Sequence, residues 1–264
     1  MRTLIVGLML LSVPSLAANI HLRLPAYADN SHLYYHQLLE RVLLSAGHQV
    51  TIEVPADNLP QKRAESMLRS GDLSVMWLLA SKQRDQDPDL IAIKLGLTQG
   101  LVGQRILLVP PSEIDAYRSV TTLEEFRQLN KTGGFGKHWF DVAIWHANHL
   151  KAQEIDGEWR RLYKMVAKRS RGVDYFSRGF TEVVNEASLH PELAIEPHLI
   201  LQYDSDFQFY LSASQTELAQ TLTEALQQAR ANGLLQTAIN DYWQKDFDLL
   251  NYAQRTKIKL FTPN

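Results

Sequence analysis

The stretch Gly71-Asp72-Leu73-Ser74-Val75-Met76-Trp77-Leu78-Leu79-Ala80-Ser81-Lys82-Gln83-Arg84 decides the fold class. A short apolar run follows its Gly-Asp pair, and a polar segment ending in arginine follows the run. Such a run predicts a buried strand that carries a loop to the end of a sheet. In an open α/β sheet, ligands bind at that end of the strands. The stretch therefore predicts an α/β fold with a binding edge near Ser81 and Arg84.

The residues before this stretch alternate between strand and helix patterns. Residues 20–24 and 48–55 alternate in polarity as strands do, whereas residues 33–46 and 59–69 have helical patterns. Strands separated by helices predict a mainly parallel sheet with helices on its faces. The stretch from Gly71 to Arg84 supplies the third strand of this sheet.

The chain begins with a sequence typical of a secretory signal peptide. Arg2 precedes a short apolar run, and small residues stand at Ala17 and Ala18. The run is shorter than the roughly 20 residues that span a bilayer, so we expect cleavage of residues 1–18 rather than stable membrane insertion. The sequence therefore predicts a periplasmic protein. Because it contains no cysteine, neither lipidation at an N-terminal cysteine nor a disulfide is expected.

The remaining residues predict two lobes, because the chain is near the size at which one hydrophobic core stops growing. We expect residues 19–104 and 207–264 to form the first lobe and residues 105–206 the second. Two crossings between them would form a hinge, with a cleft that binds a small molecule.

Three features describe the predicted second lobe and the end of the chain. Thr121 or Thr122 starts a capping box, and residues 131–136 form a glycine-rich loop that leads into a helix over residues 137–150. The tail, residues 251–264, is expected to pack on the first lobe.

The composition argues against several function classes. With 27 basic and 29 acidic residues the chain is nearly neutral, which argues against a nucleic-acid partner. The glycine-rich loop lacks the first glycine of a phosphate-binding loop, and no hydrolase signature occurs. The pairs His32/His36 and His146/His149 have helical spacing without an accompanying carboxylate, so we expect surface histidines. Neither a metal nor a cofactor is predicted.

Three motifs, in their order along the chain, carry a resemblance to a known family. Ser81-Lys82-Gln83-Arg84 stands where members carry Thr-x-x-Arg, and residues 172–176 stand where they carry Arg/Gly-x-Asp-aromatic. Residues 216–235, followed by Tyr242-Trp243, match the helix, glycine break and aromatic-Trp pair that close the first lobe. The whole mature chain thus resembles the periplasmic solute-binding proteins of the amino-acid-binding type, family 3. The resemblance implies a type II fold, in which a two-strand hinge joins two lobes, each with a mixed sheet flanked by helices.

The resemblance also implies a ligand site between the lobes, without catalytic residues. Arg84 would bind a ligand carboxylate through two parallel N–H donors, and Ser81 would add a hydroxyl. The loop at Gly136 and Lys137 would present N–H groups at a helix N-terminus to the same carboxylate. Asp174 would face a ligand ammonium from the second lobe.

Three further side chains are candidates for ligand contacts. Trp77 and Tyr27 would line the cleft and stack on an apolar or cationic part of the ligand, with a place in the core as the alternative for Trp77. Arg178 precedes a helix and would bind an anion, with surface exposure as the alternative. For Arg84 the alternative is a solvated turn arginine, and for Asp174 it is a helix cap.

The sequence departs from the family pattern in two places. The first loop, residues 25–29, lacks the usual aromatic residue followed by Pro-Phe. Leu78, Leu79 and Ala80 replace small hydroxyl residues before the Ser81 motif, which removes donors expected around an α-amino acid.

The function implied is that of a binding protein rather than an enzyme. It would capture a small polar solute that carries a carboxylate, and pass it to the membrane subunits of an ABC transporter. Two alternatives stay open: a ligand-binding protein that signals to a membrane sensor, and a dehydratase-like enzyme with Asp174 or Glu182 as general acid/base.

Overall fold

A computed structural model of the chain describes residues 19–28 and 30–263, so the predicted signal peptide, residues 1–18, lies outside the described residues. The strands are β1 (Asn19–Arg23), β2 (Gln49–Glu53), β3 (Met76–Leu79), β4 (Leu90–Ile93), β5 (Gln104–Val109), β6 (Thr132–Gly136), β7 (Lys151–Ile155), β8 (Tyr175–Gly179), β9 (Ala194–Ile195), β10 (Leu199–Gln202), β11 (Phe207–Ser212) and β12 (Thr256–Lys259). The helices are α1 (Leu33–Ser45), α2 (Gln61–Ser70), α3 (Lys82–Asp85), α4 (Leu123–Gln128), α5 (Phe140–Ala147), α6 (Arg161–Ala167), α7 (Phe180–Leu189), α8 (Thr216–Ala231) and α9 (Leu234–Leu249).

The first lobe contains two small sheets. Strand β1 pairs in parallel with β2, and β11 lies between β3 and β4, antiparallel to both. The Ser74 N–H donates to the Arg23 carbonyl (2.8 Å), and the Arg23 N–H donates to the Ser74 hydroxyl (2.9 Å). These bonds tie the end of β1 to the residues just before β3. The strand predicted within residues 71–84 is confirmed as β3, which contains Trp77. The prediction that it is the third strand of a mainly parallel sheet is wrong, because β3 pairs antiparallel with β11 in a sheet separate from β1 and β2.

The helices of the first lobe form its outer layer. Helix α1 packs against α8 and α9, and α2 packs against β3 and β11. Helix α2 ends at Gly71, which has a left-handed φ of 82° that a side chain would strain. The predicted helical regions are confirmed, although α9 runs six residues beyond the predicted end at Trp243.

The second lobe is built on a mixed sheet with the order β12-β10-β5-β8-β6-β7, to which β9 adds by pairing with β5. Strand β6 is parallel to both β7 and β8, whereas β5 is antiparallel to β8 and β10. Because β6 and β8 are parallel, their carboxyl ends lie side by side at the same end of the sheet. Gly136 is the last residue of β6 and Gly179 the last residue of β8, so both glycines lie there.

The predicted glycine-rich loop at residues 131–136 is wrong, because Thr132–Gly136 form strand β6, which lies between β7 and β8. A Cβ on Gly134 would overlap the Leu162 side chain and stand 2.8 Å from Val173, and one on Gly133 would stand 2.7 Å from Tyr175. The glycines therefore make room for large side chains that pack on the sheet. Strand β7 was not predicted.

The tail does not pack on the first lobe as predicted. Strand β12 instead joins the edge of the second-lobe sheet through β10, with Leu201 opposite Ile258. Beyond it, the Asn148 side chain accepts a hydrogen bond from the Phe261 N–H and donates one to the Phe261 carbonyl, both at 2.8 Å.

Two chain crossings, residues 94–103 and 203–206, join the lobes, whereas the sequence predicts crossings near residues 100–106 and 200–210. They lie in direct contact, because the Tyr203 N–H donates to the Gly103 carbonyl (3.1 Å). A Cβ on Gly103 would overlap the carbonyl oxygen of Tyr203. Only glycine at this position lets the two backbones approach so closely.

The described residues contain no helix that is both long and apolar enough to span a membrane.

Candidate functional site

A pocket of about 420 Å³ opens in the first lobe beside β3. The loop after β1, the segment before α2 and the start of β11 supply its other walls. Three aromatic side chains line it, namely Tyr27, Trp77 and Phe207, and three polar ones, namely Ser31, Asn58 and Gln61. An apolar pocket with a few polar groups is typical of small-molecule sites.

Trp77 is both a core residue and a wall of this pocket, so the predicted cleft-lining role and its alternative, a place in the core, are compatible. Its ring is 5% exposed and stacks on Tyr35, with 4.6 Å between ring centroids and 10° between planes. Tyr27 meets the same ring edge-on at 5.7 Å. The stacking fixes Trp77 in one orientation, so it offers the pocket a rigid surface.

His32 and His36 hold the Pro25 to Tyr27 loop, and the prediction that they lie on the surface is wrong. They are 8% and 9% exposed. His32 Nδ1 accepts a hydrogen bond from the Tyr27 N–H (3.1 Å), and His36 Nε2 lies 3.0 Å from the Pro25 carbonyl. Their spacing of four residues predicted that the two imidazoles lie on the same side of α1. The spacing alone did not show that this side is packed against the rest of the lobe. His146 and His149 are exposed, as predicted.

Ser81 and Arg84 stand beside the pocket rather than in its wall. Ser81 Oγ caps α3 by accepting a hydrogen bond from the Arg84 N–H (3.3 Å). The Arg84 guanidinium donates to the Leu79 carbonyl (3.0 Å) and lies 4.0 Å from a Glu65 carboxylate oxygen. Its side chain is 29% exposed, and a guanidinium has five N–H donors, so donors remain for a ligand.

Gly136 and Lys137 lie at the carboxyl end of β6, on the facing edge of the second lobe. The Lys137 N–H donates to the Ile155 carbonyl (2.9 Å), and its ammonium donates to Asp156 (2.8 Å). A Cβ on Gly136 would overlap the Trp139 ring, which covers this strand end.

Arg178 is enclosed, so its predicted alternative as an exposed residue is wrong. Its side chain is 9% exposed, and it bonds to both carboxylate oxygens of Glu186 and lies 2.9 Å from Glu182. The guanidinium also lies over the rings of Phe176 and Trp159, at 4.9 and 5.1 Å. Its charge is thus neutralised within the lobe, and ion pairing helps to raise its pKa against the effect of burial.

Asp174 lies at the amino ends of β6 and β8, whereas Gly136 lies at the carboxyl end of β6. Its carboxylate accepts a hydrogen bond from the Thr132 N–H (2.8 Å), and its own N–H donates to the Thr132 carbonyl (2.9 Å). Thr132 and Gly136 are four residues apart on one strand, which is about 13 Å at the usual rise per residue. The structure therefore does not bring Asp174 and Gly136 together.

Sequence reasoning missed a buried ionic group at the hinge. The Arg105 guanidinium bonds to the Asp141 carboxylate (2.8 Å) and to the Tyr203 hydroxyl (2.8 Å), and that hydroxyl donates to Asp141 (2.9 Å). Burial disfavours the charge on Arg105, but Tyr203 and Asp141 raise its pKa above the usual value. An arginine at the start of β5, directly before its apolar residues 106–109, was the available signal. The group links a hinge strand, α5 and the second crossing at the cleft-facing edge.

Comparison with solved structures gives many matches across most of the chain. The amino acid ABC transporter substrate-binding protein AbpA from Streptococcus pneumoniae, bound to L-arginine, is 12% identical, with a TM-score of 0.52; the match covers 86% of this chain and 95% of that one. Substrate-binding domain 2 of GlnP from Lactococcus lactis is 13% identical, with a TM-score of 0.54 and coverage of 84% and 94%. The arginine third transport system periplasmic binding protein from Legionella pneumophila is 10% identical, with a TM-score of 0.54 and coverage of 84% and 99%.

These matches show the fold, which is the two-lobed type II fold predicted from the sequence. No protein-family model matches the sequence, and a comparison with curated proteins gives no match.

Proposed function

We propose that this chain is a non-enzymatic, periplasmic solute-binding protein that delivers a small polar solute to the membrane subunits of an ABC importer. The observation that carries the proposal is the pocket beside β3, which opens in the first lobe of a hinged, two-lobed fold. One similar solved structure is named as an amino acid ABC transporter substrate-binding protein and holds L-arginine, and another is named as a substrate-binding domain.

The solute would carry a carboxylate and an apolar part. Arg84 would bind the carboxylate through its remaining N–H donors, with Ser81 beside it. The apolar part would pack on Tyr27 and Trp77. Gly136 and Lys137 would meet the solute from the second lobe. Contacts from both lobes favour the closed form, because only that form makes all of them.

The position of Asp174 removes one of the two acid/base candidates of the dehydratase alternative. A general acid/base must reach the substrate, but the Asp174 carboxylate bonds to the Thr132 N–H at the sheet edge away from Gly136. Glu182, the other candidate, lies 2.9 Å from the Arg178 guanidinium where the strands end towards the cleft, so it would either meet a ligand ammonium or act as the acid/base of that alternative.

A thermal-shift screen of amino acids, organic acids and short peptides tests this function. A solute that binds only the folded protein raises the melting temperature. Recovery of the hit unchanged after prolonged incubation would support a binding protein, and its conversion to another compound would contradict the proposal. Failure of every small acid and peptide to shift the melting temperature would also contradict it.

A further inference from the structure

A separate pocket of about 450 Å³ lies on the other side of the hinge. The first crossing and β5 supply one wall, through Gln99 and Gln104, and helix α9 supplies the other. Successive side chains of a strand point to opposite faces, so Gln104 and Arg105 project in opposite directions. The pocket therefore lies on the face of β5 away from the Arg105 group and from the cleft.

The wall from α9 is a row of four polar side chains at a spacing of four residues: Gln236, Asn240, Gln244 and Asp248, here called the polar row. The Gln236 amide donates to Asn240 (2.8 Å), and the Gln244 amide donates to Asp248 (2.8 Å). These bonds orient the row. They leave the amide oxygens of Gln236 and Gln244 and the amide N–H groups of Asn240 to other partners.

The floor of the pocket is apolar and partly aromatic. Leu101 and Ile239 are 4% and 1% exposed. The rings of Phe247 and Tyr252 lie 4.8 Å apart, and Phe180 from α7 packs on both of them, at 4.9 and 5.3 Å. A polar rim over an apolar floor is the usual composition of a small-molecule site.

Gln104 supplies an independent reason to expect a ligand. It is 4% exposed, and within the described residues no group donates to its amide oxygen. Leaving a buried acceptor without a partner costs about 1–3 kcal/mol, so a donor from outside the chain accounts for its retention. The same residue lines the pocket.

The charges around the pocket limit the ligand class. None of the described lining residues is basic, and the single acidic one, Asp248, already accepts from Gln244. Lys257 contacts Tyr252 but is not one of the lining residues. Carboxamides both donate and accept hydrogen bonds, so they suit hydroxyl and amide groups, whereas an anion would find no counter-charge.

We propose that this pocket binds a small uncharged molecule with several hydroxyl or amide groups, of the size and chemistry of a hexose or an N-acetylated hexose. Its polar edge bonds to Gln104 and to the polar row, and its C–H face packs on Tyr252. Gln104 belongs to the second-lobe sheet, whereas α9 packs on α1 and α8 of the first lobe. A ligand there contacts both lobes without entering the cleft.

Titration of the full mature chain with N-acetylglucosamine and with glucose tests the proposal, with sodium acetate as the charged comparison. Nuclear magnetic resonance of the side-chain amide groups is the readout. At least one of the two sugars is expected to shift the signals of Gln104 and Asn240 and to saturate below ~50 mM, a weak but measurable affinity. Acetate is expected to leave them unchanged. No saturation with either sugar, or an equal response to acetate, would overturn the site.

Gln244→Trp and Gln220→Trp form a matched pair of variants. Each glutamine is exposed and donates to an acidic side chain four residues later on its helix, at 2.8 Å for Gln244 and 2.9 Å for Gln220, but only Gln244 lines the pocket. Gln244→Trp is expected to weaken sugar binding about tenfold, whereas Gln220→Trp leaves it unchanged. Equal affinities in the two variants would contradict the proposal.

Gln104→Leu separates a binding role from a structural one. Removal of an unpaired buried amide is expected to keep or raise the melting temperature, because nothing in the described chain bonds to its oxygen. The same variant is expected to lose sugar binding. Unchanged binding would show that Gln104 has no contact with the ligand and would overturn its role in the site.

Discussion

The carboxylate of Asp206 accepts hydrogen bonds from both the backbone N–H (3.0 Å) and the hydroxyl (2.7 Å) of Thr98. The same carboxylate accepts from the N–H groups of Gly100 (2.8 Å) and Phe207 (2.8 Å). Thr98 and Gly100 belong to the first crossing and Asp206 to the second, so one side chain fastens the two crossings together. Burial raises the pKa of Asp206, and these hydrogen bonds act against that rise.

Asp206→Ala is expected to lower the free energy of unfolding by about 3 kcal/mol, because it leaves several buried N–H groups without an acceptor. Chemical denaturation at pH 7 measures the loss. Asp204→Ala is the control, since Asp204 is exposed two residues earlier in the same crossing. A loss of similar size in both variants would show that the hydrogen bonds to Thr98 and Gly100 are not the cause.

Arg84→Ala is expected to weaken solute binding by about 2–4 kcal/mol if the guanidinium binds the carboxylate. Its effect on stability is expected to be below about 1 kcal/mol, because the side chain is partly exposed and its guanidinium contacts the Leu79 carbonyl and, at 4.0 Å, the Glu65 carboxylate. Calorimetry with a solute found by thermal shift measures the change. Lys82→Ala, on the exposed side of the same short helix, serves as the control. Retained affinity in Arg84→Ala would remove this residue from the site.

His36 makes stability depend on pH. Burial lowers its pKa from 6.5 to about 4, the nearby His32 acts in the same direction, and the Pro25 carbonyl opposes both. The unfolded chain therefore takes up a proton near pH 6.5 that the folded chain resists until about pH 4. The contribution of neutral His36 is complete above pH 6.5 and is lost as the pH falls towards 4.

The stability difference between the unmodified chain and His36→Asn is thus expected to shrink as the pH falls from 7 to about 4. Denaturation at several pH values measures it. His149→Asn, at an exposed histidine, is the control for the loss of an imidazole at the surface. A constant difference for His36→Asn would show that His36 titrates normally in the folded protein.

Gly134→Ala is expected to destabilise the second lobe by about 1–3 kcal/mol, because the added Cβ overlaps Leu162. Leu162→Ala alone is also destabilising, since Leu162 is fully buried. The double variant is expected to lose at least about 1 kcal/mol less than the two single losses combined, because the smaller side chain admits the new methyl group. Strict additivity in denaturation experiments would contradict this packing relationship.

The α/β architecture could be predicted from the sequence because α1 and α2 have apolar residues at helical spacing and a glycine soon after their last residue, and β3 is a short apolar run. It was insufficient for β6, where glycines that make room for Leu162 and Tyr175 have the composition of a loop. Composition alone does not distinguish a strand packed by large side chains from a turn, since both need residues without a Cβ.

The candidate site was only partly accessible to the same reasoning. The sequence predicts that Trp77 and Tyr27 line the cleft, and the structure brings the two rings together at the pocket. The distance of Asp174 from Gly136 depends on which end of β8 carries the carboxylate, and a short motif leaves that open. Arg105 and Asp141 are far apart in sequence, so only the tertiary fold reveals their pairing.

The contact between Gly103 and Tyr203 restricts how the two lobes can move. Because the backbones touch, with no space for even one added carbon between them, the crossings cannot slide past one another without breaking the Tyr203 to Gly103 hydrogen bond. Rotation about this point of contact preserves it. If the cleft opens and closes, we therefore expect the lobes to rotate about this contact. Distances between spin labels placed across the cleft should then change on ligand binding, while distances across the crossings stay nearly constant.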